Sequence, residues 1–190
     1  FSIARNSVIS SAYSRMPPTG SPNASLVTHF NYAFGHVTDS FDGVRVDNPE
    51  RLKSIVALRE QYPKVRFLIS IGGWGSGRFS EMASSEKTRL AFAKDCKRLA
   101  DEYNLDGIDI DWEYPTSSAA NISSSPDDKA NFTLLMRDIR NAIGKDKLLT
   151  FADFSDTTFV NYRDVMQYVD FVNIMSYDMA DPPYHHSALY

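Results

Sequence analysis

Asp106-Gly107-Ile108-Asp109-Ile110-Asp111-Trp112-Glu113-Tyr114-Pro115 is the stretch on which the reading of this chain turns. Successive side chains of a strand point to opposite faces, so Asp109, Asp111 and Glu113 share one face while Ile108, Ile110 and Trp112 share the other. Asp106 is out of phase with the acidic row and falls at the start of the strand. An apolar face of this kind is buried under helices.

The flanking sequence repeats that theme. Strands are expected over Ser7 to Ala12, Leu26 to Phe34, Lys64 to Ile71, Leu105 to Glu113, Leu148 to Asp153 and Val169 to Tyr177. Between them, Asn48-Pro49-Glu50 opens one helix with a capping residue followed by proline. Ser85 caps a second, running to about Tyr103. Ser125-Pro126-Asp127-Asp128 opens a third, with an acidic residue three positions after the capping serine. A short helix is expected over about Tyr162 to Tyr168. Strand–helix–strand repeats imply parallel strands with right-handed crossovers. An open doubly wound sheet announces itself by a glycine-rich phosphate turn after its first strand. Here Ser14-Arg15-Met16-Pro17-Pro18 stands in that place, and Gly72-Gly73-Trp74-Gly75-Ser76-Gly77 fits neither nucleotide-binding glycine pattern. The favoured fold is an α/β (β/α)8 TIM barrel, of which the chain covers about strands 1–6.

Composition narrows the function. The 190 residues are 43% hydrophobic and 23% charged, in the range of a soluble globular domain. Twenty basic against 24 acidic side chains give a net charge of −4, without the basic stripe a nucleic acid needs. No apolar run approaches the roughly 18 residues of a membrane span. The lone Cys96 lies among helical apolar positions and reads as a small buried hydrophobe.

Three carboxyls in line, roughly 6–7 Å apart by strand rise, repel one another when all are ionised. They must share protons, bind a cation or serve a reaction. A solvated acidic face sits badly with the clean apolar alternation. A calcium loop needs glycine where Tyr114 stands, and a magnesium site is open on the carboxyls alone. Proton-transfer catalysis is the favoured reading. Glu113, nearest the C-terminal end of its strand where barrel active sites sit, is the natural general acid.

Asp106-Gly107-Ile108-Asp109-Ile110-Asp111-Trp112-Glu113 resembles the D-x-x-D-x-D-x-E motif of family 18 glycoside hydrolases, the chitinase family. Ser70-Ile71-Gly72-Gly73-Trp74 resembles its third-strand S-x-G-G motif, and Asn31-Tyr32-Ala33-Phe34 its second strand. Met175-Ser176-Tyr177-Asp178 resembles its sixth-strand M-x-Y-D motif, and His185-His186-Ser187-Ala188-Leu189-Tyr190 is similar to the loop beyond. The resemblance implies a retaining, substrate-assisted glycosidase. Glu113 would protonate the leaving oxygen, and the substrate's own 2-acetamido oxygen would attack the anomeric carbon. Asp111 would hold the acetamido N–H, and Asp109 would exchange a proton with Asp111. Ser70 and Asp106 would lie behind these groups, and Tyr177 would donate to the acetamido oxygen. Trp74, Met175, Asp178 and Phe34 would contact sugar. No cofactor and no metal are implied.

The substrate implied is chitin or another N-acetylglucosamine-containing oligosaccharide. Alternatives are an endo-β-N-acetylglucosaminidase acting on N-glycan chitobiose cores and a non-catalytic lectin, although such lectins lose the residue matching Glu113. An insoluble polymer is met outside the cytoplasm, so a secreted, periplasmic or cell-surface protein is expected. Residues 1–190 are expected to form a single catalytic domain truncated at its C-terminal end, because strands seven and eight have no counterpart here. The aromatic pair typical of the family's first strand is replaced by Ser10-Ser11-Ala12-Tyr13.

Overall fold

The structure, a computed structural model, describes residues 9–13, 24–154 and 157–177. The elements run β1 (Ile9–Tyr13), β2 (His29–Val37), β3 (Val44–Val46), α1 (Pro49–Val56), β4 (Arg66–Gly72), α2 (Phe79–Ser84), α3 (Glu86–Glu102), β5 (Gly107–Asp111), α4 (Asp128–Ile143), β6 (Leu148–Asp153), α5 (Tyr162–Val165) and β7 (Phe171–Ile174). Short 3-10 turns cover Ala24–Leu26, Ala57–Glu60 and Ala119–Asn121.

The sheet order is β1-β2-β4-β5-β6-β7, every neighbouring pair parallel, with β3 added antiparallel to β2. Strands follow one another in chain order with no reversal. Among the described residues there is therefore no switch point of the doubly wound kind, and the winding is that of a (β/α) barrel wall.

One face of this wall is apolar and lies under the helices. Ile69, Ile71, Ile108, Ile110, Leu149 and Phe151 belong to one buried cluster with Phe92, Cys96 and Leu99 of α3 and Phe132, Leu135 and Ile139 of α4. Trp112 joins it from beyond the end of β5, its ring stacked 5.3 Å from Phe79 of α2 and 6.2 Å from Phe132. Asn48 caps α1, its side chain accepting from Arg51 N at 3.0 Å with Pro49 behind it. Ser85 does the same for α3, accepting from Thr88 N.

The expected helices and six parallel strands are present with shifted ends. The second strand begins at His29 rather than Leu26, where the chain makes a 3-10 turn, and continues to Val37. The fourth stops at Asp111 rather than Glu113, and the sixth at Ile174 rather than Tyr177. Two elements carry no local signal. Strand β3 is three residues long, and α2 follows Arg78 at φ 75° with no side-chain cap.

Candidate active site

Layers of side chains cross the sheet on the face opposite the helices. Strand register sets Ser70 of β4 beside Asp109 of β5, and Asp109 beside Thr150 of β6. Ser70 Oγ donates to Asp109 Oδ2 at 2.7 Å. Thr150 Oγ1 and Asn173 Nδ2 donate to Oδ1 at 2.5 and 2.8 Å. Burial raises the Asp109 carboxyl above its ordinary range, and these three donors act against that rise.

Two residues along the same face, Asp111 is 6% exposed, and its Oδ1 is buried without a hydrogen-bond partner among the described residues. Burial first, then the charges of Glu113 and Asp109, push this carboxyl up to about 8. The pair is thus unequal. Asp109 is supplied with donors that hold its rise down, and Asp111 is not. Glu113 stands past the strand end, and its Oε2 accepts from the Tyr114 hydroxyl at 3.1 Å. The Glu113–Tyr114 and Ala33–Phe34 peptide bonds are cis.

The end of β4 makes room for this arrangement. Gly72 has φ +130°, and a Cβ there would lie 2.0 Å from the carbonyl oxygen of Asp111. Gly73 has φ +93°, its N–H donates to that same oxygen at 2.9 Å, and a Cβ on it would meet the Phe34 ring at 2.9 Å. Two adjacent glycines are therefore required where β4 passes the acidic strand.

Asp111 and Glu113 open into a cleft of about 710 Å³, lined also by Phe34, Trp74, Tyr114, Phe154, Met175 and Tyr177. Trp74 and Tyr177 remain 64% and 50% exposed, presenting aromatic surface to the cleft, whereas Met175 is buried. Six of the residues expected from sequence thus meet in one cavity, with Asp109 and Ser70 packed behind them.

Asp106 is a correction. It sits at the opposite, N-terminal end of the strand, where its carboxylate bridges Arg59 at 2.9 Å and Arg66 at 3.3 Å and accepts from Phe67 N at 2.8 Å. Asp170 does the same one crossover later, with Arg140 and Leu149 N. These acids staple the bottom of the sheet rather than support the site, since three residues of strand rise, about 10 Å, separate Asp106 from Asp109. Asp178, His185 and His186 lie outside the described residues, as do Ser14 to Pro18.

Sequence reasoning did not assign Tyr114, Phe154, Thr150 or Asn173 to the site. Tyr114 stacks on Phe159 with ring centres 4.8 Å apart and lies 5.5 Å from Phe154 and 6.5 Å from Trp74. Phe154 follows directly on the C-terminal end of β6, a barrel position from which it was open to prediction. Thr150 and Asn173 come from neighbouring strands, and no local pattern marks them.

Comparison with known proteins adds an independent line. The family described as glycosyl hydrolases family 18 matches residues 6–190. Among relatives, an endochitinase of Manduca sexta is 32% identical over 167 residues, spanning 80% of this chain and 30% of that protein. Chitinase A1 of Niallia circulans is 36% identical over 153 residues, spanning 73% and 22%. Among solved structures, the chitinase domain of the spore coat protein CotE from Clostridium difficile superposes with a TM-score of 0.85 at 36% identity, covering 92% of this chain and 52% of that one. A family 18 N-acetylglucosaminidase from Paenibacillus barengoltzii gives 0.84 at 40%, covering 91% and 54%. The chain therefore spans under a third of these two curated relatives and about half of these two solved chains.

Proposed function

The chain belongs to family 18 of the glycosyl hydrolases, and from that membership we propose that it hydrolyses β-1,4 linkages between N-acetylglucosamine units with retention of configuration. One observation carries the reading. Asp111 holds a buried carboxyl oxygen that lacks a partner among the described residues, two positions before a second carboxyl at the mouth of an aromatic-lined cleft. An orphaned buried acceptor is costly, and an amide N–H from a ligand would satisfy it. The 2-acetamido group of N-acetylglucosamine offers one.

In this mechanism Glu113 gives its proton to the glycosidic oxygen as the bond to the anomeric carbon breaks. The acetamido oxygen of the same sugar forms the new bond to that carbon, producing an oxazolinium ion. Asp111 accepts from the acetamido N–H, and as positive charge builds there it passes its proton toward Asp109. The three donors around Asp109 keep that carboxyl in register for the exchange. Glu113, now a carboxylate, takes a proton from water as the water attacks and reopens the ring. Tyr177 hydrogen-bonds the acetamido oxygen, while Trp74, Phe34 and Met175 offer apolar surface to sugar rings.

Hydrolysis of a fluorogenic N-acetylchitooligosaccharide, measured side by side for the protein and its Glu113→Gln variant, tests this. Loss of turnover on the order of 10²–10⁴-fold with sugar binding retained is expected from removing the proton donor. Turnover retained in Glu113→Gln would overturn the assignment. A second reading, release of single N-acetylglucosamine units, has its support in the 40% identity to the Paenibacillus N-acetylglucosaminidase. Product lengths from a long oligomer separate the two. Action on such a polymer also places the protein outside the cytoplasm in this proposal. Among the described residues, no helix is long and apolar enough to cross a membrane.

A further inference from the structure

The segment after Glu113 is irregular and carries unfavourable backbone. Between Tyr114 and Ser125 its one regular element is a single 3-10 turn, and Thr116, Ala120 and Asn121 have φ of 67°, 60° and 55°. The left-handed region is costly for a β-branched residue such as Thr116. Tertiary contacts must therefore hold this conformation.

Asp128 supplies the polar ones. It is the first residue of α4 and is fully buried. Its Oδ2 accepts from the backbone N–H of Thr116 at 3.3 Å and of Ser125 at 2.7 Å, clasping both ends of the segment. Its Oδ1 accepts from Ser80 Oγ of α2 at 2.8 Å. Ser125, expected to cap this helix, does not: the N-cap is Asp127, without a side-chain cap bond, and the Ser125 N–H is instead held by Asp128. Helix α2 follows directly on the loop bearing Trp74, and a Cβ on Gly77 of that loop would lie 3.6 Å from the Ile122 side chain of the clasped segment. One carboxylate thus ties the segment after Glu113 to α2, the helix that follows the Trp74 loop.

We infer that Asp128 is a positioning residue for Glu113, fixing the backbone three residues downstream so that the Glu113 carboxyl stands at the mouth of the cleft. This rests on Glu113 being the acid of the proposed reaction. An Asn at position 128 keeps the arrangement: its oxygen accepts from both backbone N–H groups and its amide donates to Ser80 Oγ. An Ala keeps none of it.

The experiment compares kcat and KM of the protein with those of Asp128→Ala, Asp128→Asn and Glu113→Gln on one fluorogenic chitooligosaccharide, with a thermal melt of each. Misplacing the acid by about 1 Å costs on the order of 10²-fold, so Asp128→Ala should lose about 10- to 100-fold in kcat with KM little changed. Asp128→Asn should restore kcat to near the parent value. A folded Asp128→Ala with parental kcat, or an Asn variant as impaired as the Ala variant, overturns the inference. If Asp128→Ala lacks a cooperative melt, Asp128→Ser, which retains one hydroxyl acceptor, is judged by the same kcat criterion. Turnover retained in Glu113→Gln refutes the parent reading instead, so the two failures are distinct.

Discussion

Asp111→Asn should make the protein more stable relative to the parent as pH rises, even as it removes activity. In the unfolded chain this carboxyl titrates near its ordinary 3.8; in the folded protein it is pushed up to about 8. The native state therefore holds the proton more tightly than the unfolded one. A raised value of this kind leaves stability intact below about pH 4 and erodes it as pH climbs toward the folded value. Each pH unit inside that window corresponds to about 1.4 kcal/mol. Between pH 5 and 7, well inside it, the parent should lose about 2–3 kcal/mol relative to an Asn that does not titrate. Other groups titrate in both proteins, so the difference between them isolates Asp111. Urea unfolding at pH 5, 6 and 7 reads that difference directly. Glu113→Gln, by removing the larger of the two neighbouring charge effects, should lower the upper end of that window, so the pH-dependent loss levels off at a lower pH. Parallel stability-versus-pH curves for the parent and Asp111→Asn would refute this account of the buried pair.

Two further substitutions test other parts of the site. Gly72→Ala forces a methyl to 2.0 Å from the Asp111 carbonyl at φ +130°, so at least about 3 kcal/mol of stability, or the β4–β5 contact itself, should be lost; an unchanged melt would mean that the strand end is looser than described. Trp74→Ala removes a side chain that is 64% exposed, so stability should stay within about 0.5 kcal/mol while KM for oligosaccharides rises several-fold. An unchanged KM would remove Trp74 from the sugar-binding surface.

Strand parity is local, which is why the acidic row was legible in the sequence. Asp109, Asp111 and Glu113 against Ile108, Ile110 and Trp112 needed only the two-residue period. The Asn48 and Ser85 caps and the periodic faces of α3 and α4 were legible for the same reason. Sequence order likewise placed Glu113 beyond the last apolar position of its strand, at the end where barrel sites lie.

What tertiary structure alone decided is which residues of different strands and loops meet. Thr150 and Asn173 reach Asp109 because register and stagger bring β6 and β7 alongside β5, and neither residue is unusual in its own stretch. Asp106, out of phase with the acidic row but placed behind the site by the resemblance, pairs with Arg59 and Arg66 at the far end of the sheet, since a strand carries its residues apart as surely as it aligns them. Tyr114 entered the cleft through the path of a loop whose left-handed residues Thr116, Ala120 and Asn121 announce nothing beforehand. The sequence by itself determined which face of each element is apolar, because that depends on neighbours three or four residues away at most. The unequal environments of Asp109 and Asp111 came from the donors of Asp109, 39 to 64 residues distant, that only folding brings within hydrogen-bond reach.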